Sequence, residues 1–137
     1  MAVWIFDSFV FNWTDLSRNF LNFCIRSFGA VFIFTVGVYL ARKVHDILFE
    51  SNAAKNGVIR EGPFARIRHP LYLSTILFYM ALLFFNPTIL SLLVFAIILG
   101  FYDFIARYEE KILLEKFGED YRRYIDSVPR WIPRLRK

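Results

Sequence analysis

Residues 71–106 read "LYLSTILFYMALLFFNPTILSLLVFAIILGFYDFIA". Two apolar runs, 71–85 and 88–106, are separated only by Asn86-Pro87. That dipeptide is a tight turn signal. A connection so short forces the two runs into an antiparallel hairpin. The second run approaches the roughly 20 residues that a helix needs to cross a bilayer core, and the first is shorter, with room to borrow His69 or Asn86 at its ends. Pro70 suits the first turn of the leading helix, where its missing N–H costs nothing. Asp103 sits near the end of the second run, with Arg107 at i+4 spacing, as a structural pair would be.

Working outward, a third apolar stretch precedes the hairpin. "FLNFCIRSFGAVFIFTVGVYLA" covers 20–41 and is long enough to span. Arg26 lies near one end of it and is expected to snorkel to the interface. Cys24, the sole cysteine, is read as a small apolar filler within this helix. It can form no intrachain disulfide, and no cysteine-based metal cluster is possible. Residues 1–19 mix Trp4, Phe6, Phe9, Phe11 and Trp13 with Asp7, Asn12, Asp15 and Arg18, the composition of an interfacial segment. The N-terminus lacks a basic n-region, so no cleavable signal is expected.

The 137 residues are 57% hydrophobic and 21% charged, so charge must be segregated from apolar surface. The segregation is one-sided. Six Lys and Arg lie in 42–69 and nine in 107–137, fifteen of the seventeen in the chain. With three spans, both stretches fall on one side, which the charge bias of membrane proteins makes cytosolic. The basic residues flank apolar spans and form no basic domain of their own. Anionic lipid headgroups are therefore a simpler partner than nucleic acid. The expected fold is a single all-α integral membrane domain over 1–137. It has an interfacial segment at 1–19, spans at 20–41, 70–86 and 88–106, and a cytosolic amphipathic tail at 107–137.

Within the tail, the third helix should emerge from the membrane and run to Phe117. Gly118 suits its C-terminal position, and a short amphipathic helix follows at about 119–126. In the connection, Arg42, Lys43, His45, Asp46 and Glu50 continue a pattern that prolongs the first helix beyond the membrane, until Asn56-Gly57 breaks it. The topology brings the 57–72 connection and the 103–133 tail to the same face. Together they hold most of the chain's His, Arg and Glu.

"GPFARIRHPLYLS" at 62–74 and "RYEEKILLEKFGEDYRRYIDSVPRWIP" at 107–133 resemble the isoprenylcysteine carboxyl methyltransferase family. Related membrane phospholipid N-methyltransferases share part of the pattern. The family signature runs G-P-[YF], R-H-P-x-Y-x-G, then E-E after the next span, then F-G-x-x-Y-x-x-Y with V-P-R-x-[IL]-P. The resemblance covers residues 57–133. Ser74 stands where the family usually has glycine, and a small residue there still permits close approach. Family members carry additional spans before this core, whereas this chain has room for one and a partial second. The acceptor site is accordingly the less supported half, and a site shared between copies in a homo-oligomer stays open.

The resemblance implies S-adenosylmethionine as cofactor, held at the cytosolic face, and a lipophilic methyl acceptor, either an isoprenylcysteine-type carboxylate or a lipid amine. Arg66 or Arg68 would pair with the donor carboxylate. Glu109 or Glu110 would accept from ribose hydroxyls or the ammonium. Tyr72 or Trp131 would pack against adenine or sulfonium. His69, its ring fixed by Pro70, would hydrogen-bond the cofactor, and Tyr121 belongs to the matching tail motif. Arg68, Glu109 and Glu110 are the candidate catalytic residues, an Arg to orient an acceptor carboxylate, or Glu109, Glu110 or else His69 to serve as base for an amine. No metal site is expected. Adjacent helical residues differ by about 100°, so only one Glu is expected to face the site, with Glu109 favoured. Two alternatives stand beside this: a nicotinamide-dependent reductase like the sterol reductases, and a non-catalytic membrane scaffold. Taken singly, each feature also has a plain explanation as anchor, aromatic belt or solvated helix end.

Overall fold

The computed structural model describes residues 23–49 and 57–133. The expected interfacial segment at 1–19 lies outside these. Four α-helices make up the described residues, with one 3-10 turn: α1 (Phe23–Phe49), the turn Gly62–Ala65, α2 (Pro70–Phe85), α3 (Ile89–Phe117) and α4 (Glu119–Ser127). Helices α1 and α3 are long and apolar enough to cross a membrane, and α2 is a shorter apolar helix. At 1.5 Å per residue α1 is about 40 Å long and α3 about 44 Å, both beyond the ~30 Å hydrocarbon core. Each therefore carries its polar end out of the apolar layer. Much of what an aqueous domain would bury is exposed here, Phe28, Phe32, Ile97 and Phe104 among them. Such surfaces suit lipid rather than water.

The hairpin forms as its turn demands. Pro70 opens α2 in its first turn, and Thr88 caps α3. The Thr88 hydroxyl accepts from Ser91 N at 3.0 Å, while Thr88 N donates to Ser91 Oγ at 2.8 Å. This reciprocal box satisfies two helix-end donors that would otherwise be orphaned beside lipid. Gly118, at φ +55°, ends α3 and turns the chain into α4.

Helices α1 and α2 share the largest interface, and glycine makes it possible. A Cβ on Gly37 would lie 3.3 Å from Leu77 Cβ and 3.3 Å from the Ser74 carbonyl oxygen; one on Gly29 would lie 3.3 Å from Phe84. Pairing 29 with 84 and 37 with 74–77 fixes the helices antiparallel. In lipid, where apolar burial gives helices no preference for each other, such close backbone approach is the main source of cohesion. Ser74 donates to Leu71 O at 2.6 Å, so its hydroxyl stays within its own helix. Gly37→Leu is expected to cost about 1–3 kcal/mol by overpacking, read as thermal unfolding in detergent. Gly100→Leu is the control, because nothing lies within 4 Å of a Cβ there.

Cys24 departs from expectation: it is exposed, not packed. The Arg26 Nε is buried and has no hydrogen-bond partner among the described residues.

Candidate functional site

The C-terminal end of α1, the start of α2 and the end of α3 lie together, and the irregular segments join over them. The Tyr124 hydroxyl donates to Phe64 O at 2.7 Å, Arg68 N donates to Pro129 O at 3.0 Å, and Arg60 pairs with Asp120 at 2.9 Å. Each contact links the 57–69 connection to the tail across about sixty residues. Tyr121, Tyr124 and Val128 form the small core beneath, packed by Val58, Leu113 and Phe117. The amphipathic spacing of α4 sets this, turning Tyr121 and Tyr124 inward while Arg122 and Arg123 stay exposed. Burial raises the pKa of both tyrosines, Tyr124 to about 12, so each hydroxyl stays neutral.

His69 is the hub. It precedes Pro70 and is buried. Its Nε2 lies 3.0 Å from Glu110 Oε1 and its Nδ1 lies 3.5 Å from Glu109 Oε2. Both carboxylates therefore meet the imidazole, from two sides, although of the two only Glu109 lines the cavity beside it. Tyr72 stacks on the ring at 5.4 Å and Trp131 tilts against it at 5.9 Å. Burial, the largest influence, lowers the pKa of His69. Hydrogen bonds to Glu109 and Glu110, with their charges, outweigh burial and carry it above the ordinary 6.5.

The two glutamates differ in company. Glu110 accepts from Arg130 Nη2 at 2.7 Å and Nε at 3.0 Å, a two-pronged pairing, and meets Arg68 Nη1 at 3.4 Å. Its side chain is 9% exposed, against 44% for Glu109. Arg130 also donates to Asp103 Oδ1 at 3.2 Å, which accepts from Trp131 Nε1 at 3.1 Å, while Arg107 holds Asp103 Oδ2 at 2.7 Å. The expected Asp103–Arg107 pair is present as part of this larger network. Arg130 received no role from sequence reasoning, although it is the arginine of the quoted V-P-R-W-I-P run.

A cavity of about 250 Å³ opens beside the hub, lined by Phe64, Arg68, His69, Glu109, Phe117, Tyr121 and their neighbours. Its chemistry is divided, with a guanidinium on one part of the wall and a carboxylate on another. Arg68 Nε and Nη1 are buried without a hydrogen-bond partner among the described residues, the Glu110 contact at 3.4 Å being a charge contact only. A buried guanidinium with free donors is costly unless an anion meets it. Arg68, His69, Glu109 and Tyr121 thus share the cavity; Glu110, Tyr72 and Trp131 stand behind it, against His69 and Asp103. Pro70 is buried in the first turn of α2. Arg66 is exposed and lines a different cavity.

His69 gives a pH prediction with a definite sign. A pKa raised by folding means stability that is fully present below pH 6.5 and lost as pH rises through the folded-state value. Wild type should outlast His69→Gln in thermal unfolding at pH 6, and the gap should narrow at higher pH. A gap independent of pH would contradict a charged imidazole between the carboxylates.

A family model described as phospholipid methyltransferase matches residues 25–120. No curated protein matches the chain.

Proposed function

This chain belongs to the phospholipid methyltransferase family, and from that premise we propose that it methylates the headgroup amine of a phospholipid at the face where the 57–69 connection meets the tail. It is an integral membrane, S-adenosylmethionine-dependent methyltransferase acting on a lipid substrate, in place of the reductase and scaffold alternatives. The match supports the phospholipid branch of the resemblance, while the isoprenylcysteine branch rests on the motifs alone. A phospholipid acceptor favours nitrogen as nucleophile, since its phosphodiester oxygens are weakly nucleophilic. The bias of basic residues supports a cytosolic position for this face.

One observation carries the assignment of residues: Arg68, with buried unpaired donors, and Glu109, half-exposed, line the same cavity. That donor set fits the cofactor. Arg68 would hold its carboxylate through charge-assisted bonds. The aromatic walls Phe64, Phe117 and Tyr121 would pack an adenine. At about 250 Å³ the cavity is below the ~300–1,000 Å³ of whole-ligand pockets, so it seats part of the molecule. When bound, S-adenosylmethionine supplies the electrophilic methyl group.

The remaining chemistry belongs to the chain. An amine must shed its proton to act as nucleophile. His69 is poorly placed to take it, both of its ring nitrogens already meeting carboxylates. Glu110 cannot, its oxygens being filled by Arg130 and His69. Glu109 is left, and its exposure lets the proton pass on to solvent. An ammonium entering the cavity beside Arg68 would have its pKa lowered by the guanidinium charge, which eases the transfer. Glu110, Arg130 and Asp103 act through others, fixing Arg68, His69 and Trp131.

The test is methyl-labelled donor with purified protein in vesicles containing an aminophospholipid. Label on the lipid, stable to base, is expected. Base-labile label on an isoprenylcysteine acceptor, with none on the amine, would overturn the assignment.

A further inference from the structure

The segment 62–68 walls two cavities. Phe64 and Arg68 face the cavity described above; Gly62, Pro63, Arg66 and Ile67 line a second one of about 350 Å³, closed by Tyr39 and Lys43 of α1. Nothing in the function so far uses this second cavity. Among the described residues its lining holds two cations and no acidic side chain. Among the described residues neither Lys43 nor Arg66 meets a carboxylate within ion-pair distance; Lys43 lies only over the Tyr39 ring, at 5.1 Å.

Its level in the membrane is fixed by sequence. Arg42 and Lys43 are the first charges after the apolar run through Ala41, so the cavity opens at the edge of the hydrocarbon layer. A strip of exposed apolar side chains leads into it. Phe28 (79% exposed), Phe32 (70%), Val36 and Tyr39 (59%) fall with Lys43 on one face of α1, within about 80° of arc. An apolar track ending in two unpaired cations, at the depth of the headgroups, matches one kind of occupant. It needs hydrocarbon chains and a single anionic group where the chains end.

We propose that Lys43 and Arg66 bind the phosphodiester of the acceptor phospholipid, whose chains lie along Phe28, Phe32 and Tyr39. The proposal rests on the phospholipid-amine reading and deepens it, giving the acceptor a site separate from the donor's. Cavities that share the wall 62–68 suit a headgroup whose phosphate and amine are two carbons apart. With the phosphate held at Arg66, the amine would be directed toward the side of the segment that carries Arg68, where Glu109 lines the neighbouring cavity. Arginine and a flexible lysine together are a common means of holding a phosphate.

Two measurements test this. The first compares methylation of an aminophospholipid with that of a long-chain alkylamine lacking phosphate, in wild type and in K43Q/R66Q. The variant should lose about tenfold or more in kcat/KM per cation on the phospholipid relative to the alkylamine, the size of a lost charge-assisted hydrogen bond. Equal losses on both acceptors, or none, would overturn the proposal. The second is native mass spectrometry of lipid retention, which needs no turnover. Wild type should retain the phospholipid over a diacylglycerol with the same chains, and K43Q/R66Q should not. Retention without that preference in wild type refutes the site even if the enzyme is active. A preference with no amine methylation leaves the lipid site standing and removes the reading of the reaction.

Discussion

Glu110→Ala is expected to lower stability by about 3–5 kcal/mol, the usual cost of removing one partner from a buried ion pair. In thermal unfolding this is a fall in Tm of roughly 10 °C or more. The size follows from what remains. Glu110 is hydrogen-bonded to Arg130 and His69 and offsets the charge of Arg68 at 3.4 Å. Without it, two guanidiniums and the His69 ring lose their shared carboxylate at a site whose side chains are 5% (His69), 10% (Arg68) and 24% (Arg130) exposed. Arg130 keeps Asp103, but Arg68 keeps no carboxylate. Glu110→Gln should cost less, since an amide oxygen still accepts from Arg130. Arg130→Leu should restore part of the loss in the double variant, because one stranded cation is then gone. Should Glu110→Ala unfold within 1 kcal/mol of wild type, the network is only a set of solvated contacts and does not hold the tail on the hairpin.

The same network shows which parts of this molecule are written locally. The hairpin is legible because Asn86-Pro87 and the Thr88–Ser91 box act within six residues, and the extents of α3 and α4 because Gly118 interrupts them. The position of His69 is not. It depends on how far α2 slides along α3, and that packing lets the ring stand between two adjacent helical residues, so each nitrogen meets a different glutamate. An angle of about 100° between Glu109 and Glu110 excludes two carboxylates pointing in parallel; it does not exclude two that straddle one group. Arg66 and Arg68 make the same point. Both lie in irregular chain after the 3-10 turn, where no periodicity assigns faces, and they end in different cavities. Arg130 was visible in the V-P-R-W-I-P run, but its partners lie 20 and 27 residues away in sequence.

Glu109→Gln should behave in the opposite way to Glu110→Ala. Its side chain is half in solvent, and among the described residues its one ionic contact is with His69 at 3.5 Å. Stability should therefore change by no more than about 1 kcal/mol. Catalysis should suffer far more, a loss of about 10²–10⁴ in kcat, the typical contribution of a positioned general base. A fall in rate alone would not separate a base from a residue that merely holds a ligand, but pH does. An acceptor amine that has already lost its proton to solvent needs no base. The deficit of Glu109→Gln should therefore shrink as pH rises toward the pKa of the headgroup ammonium, while wild type gains little over the same interval. A positioning role predicts a deficit that stays constant with pH, and a carboxylate acceptor predicts no base requirement at any pH. Constant loss across the range would remove Glu109 from proton transfer and return the choice of acceptor to the isoprenylcysteine branch.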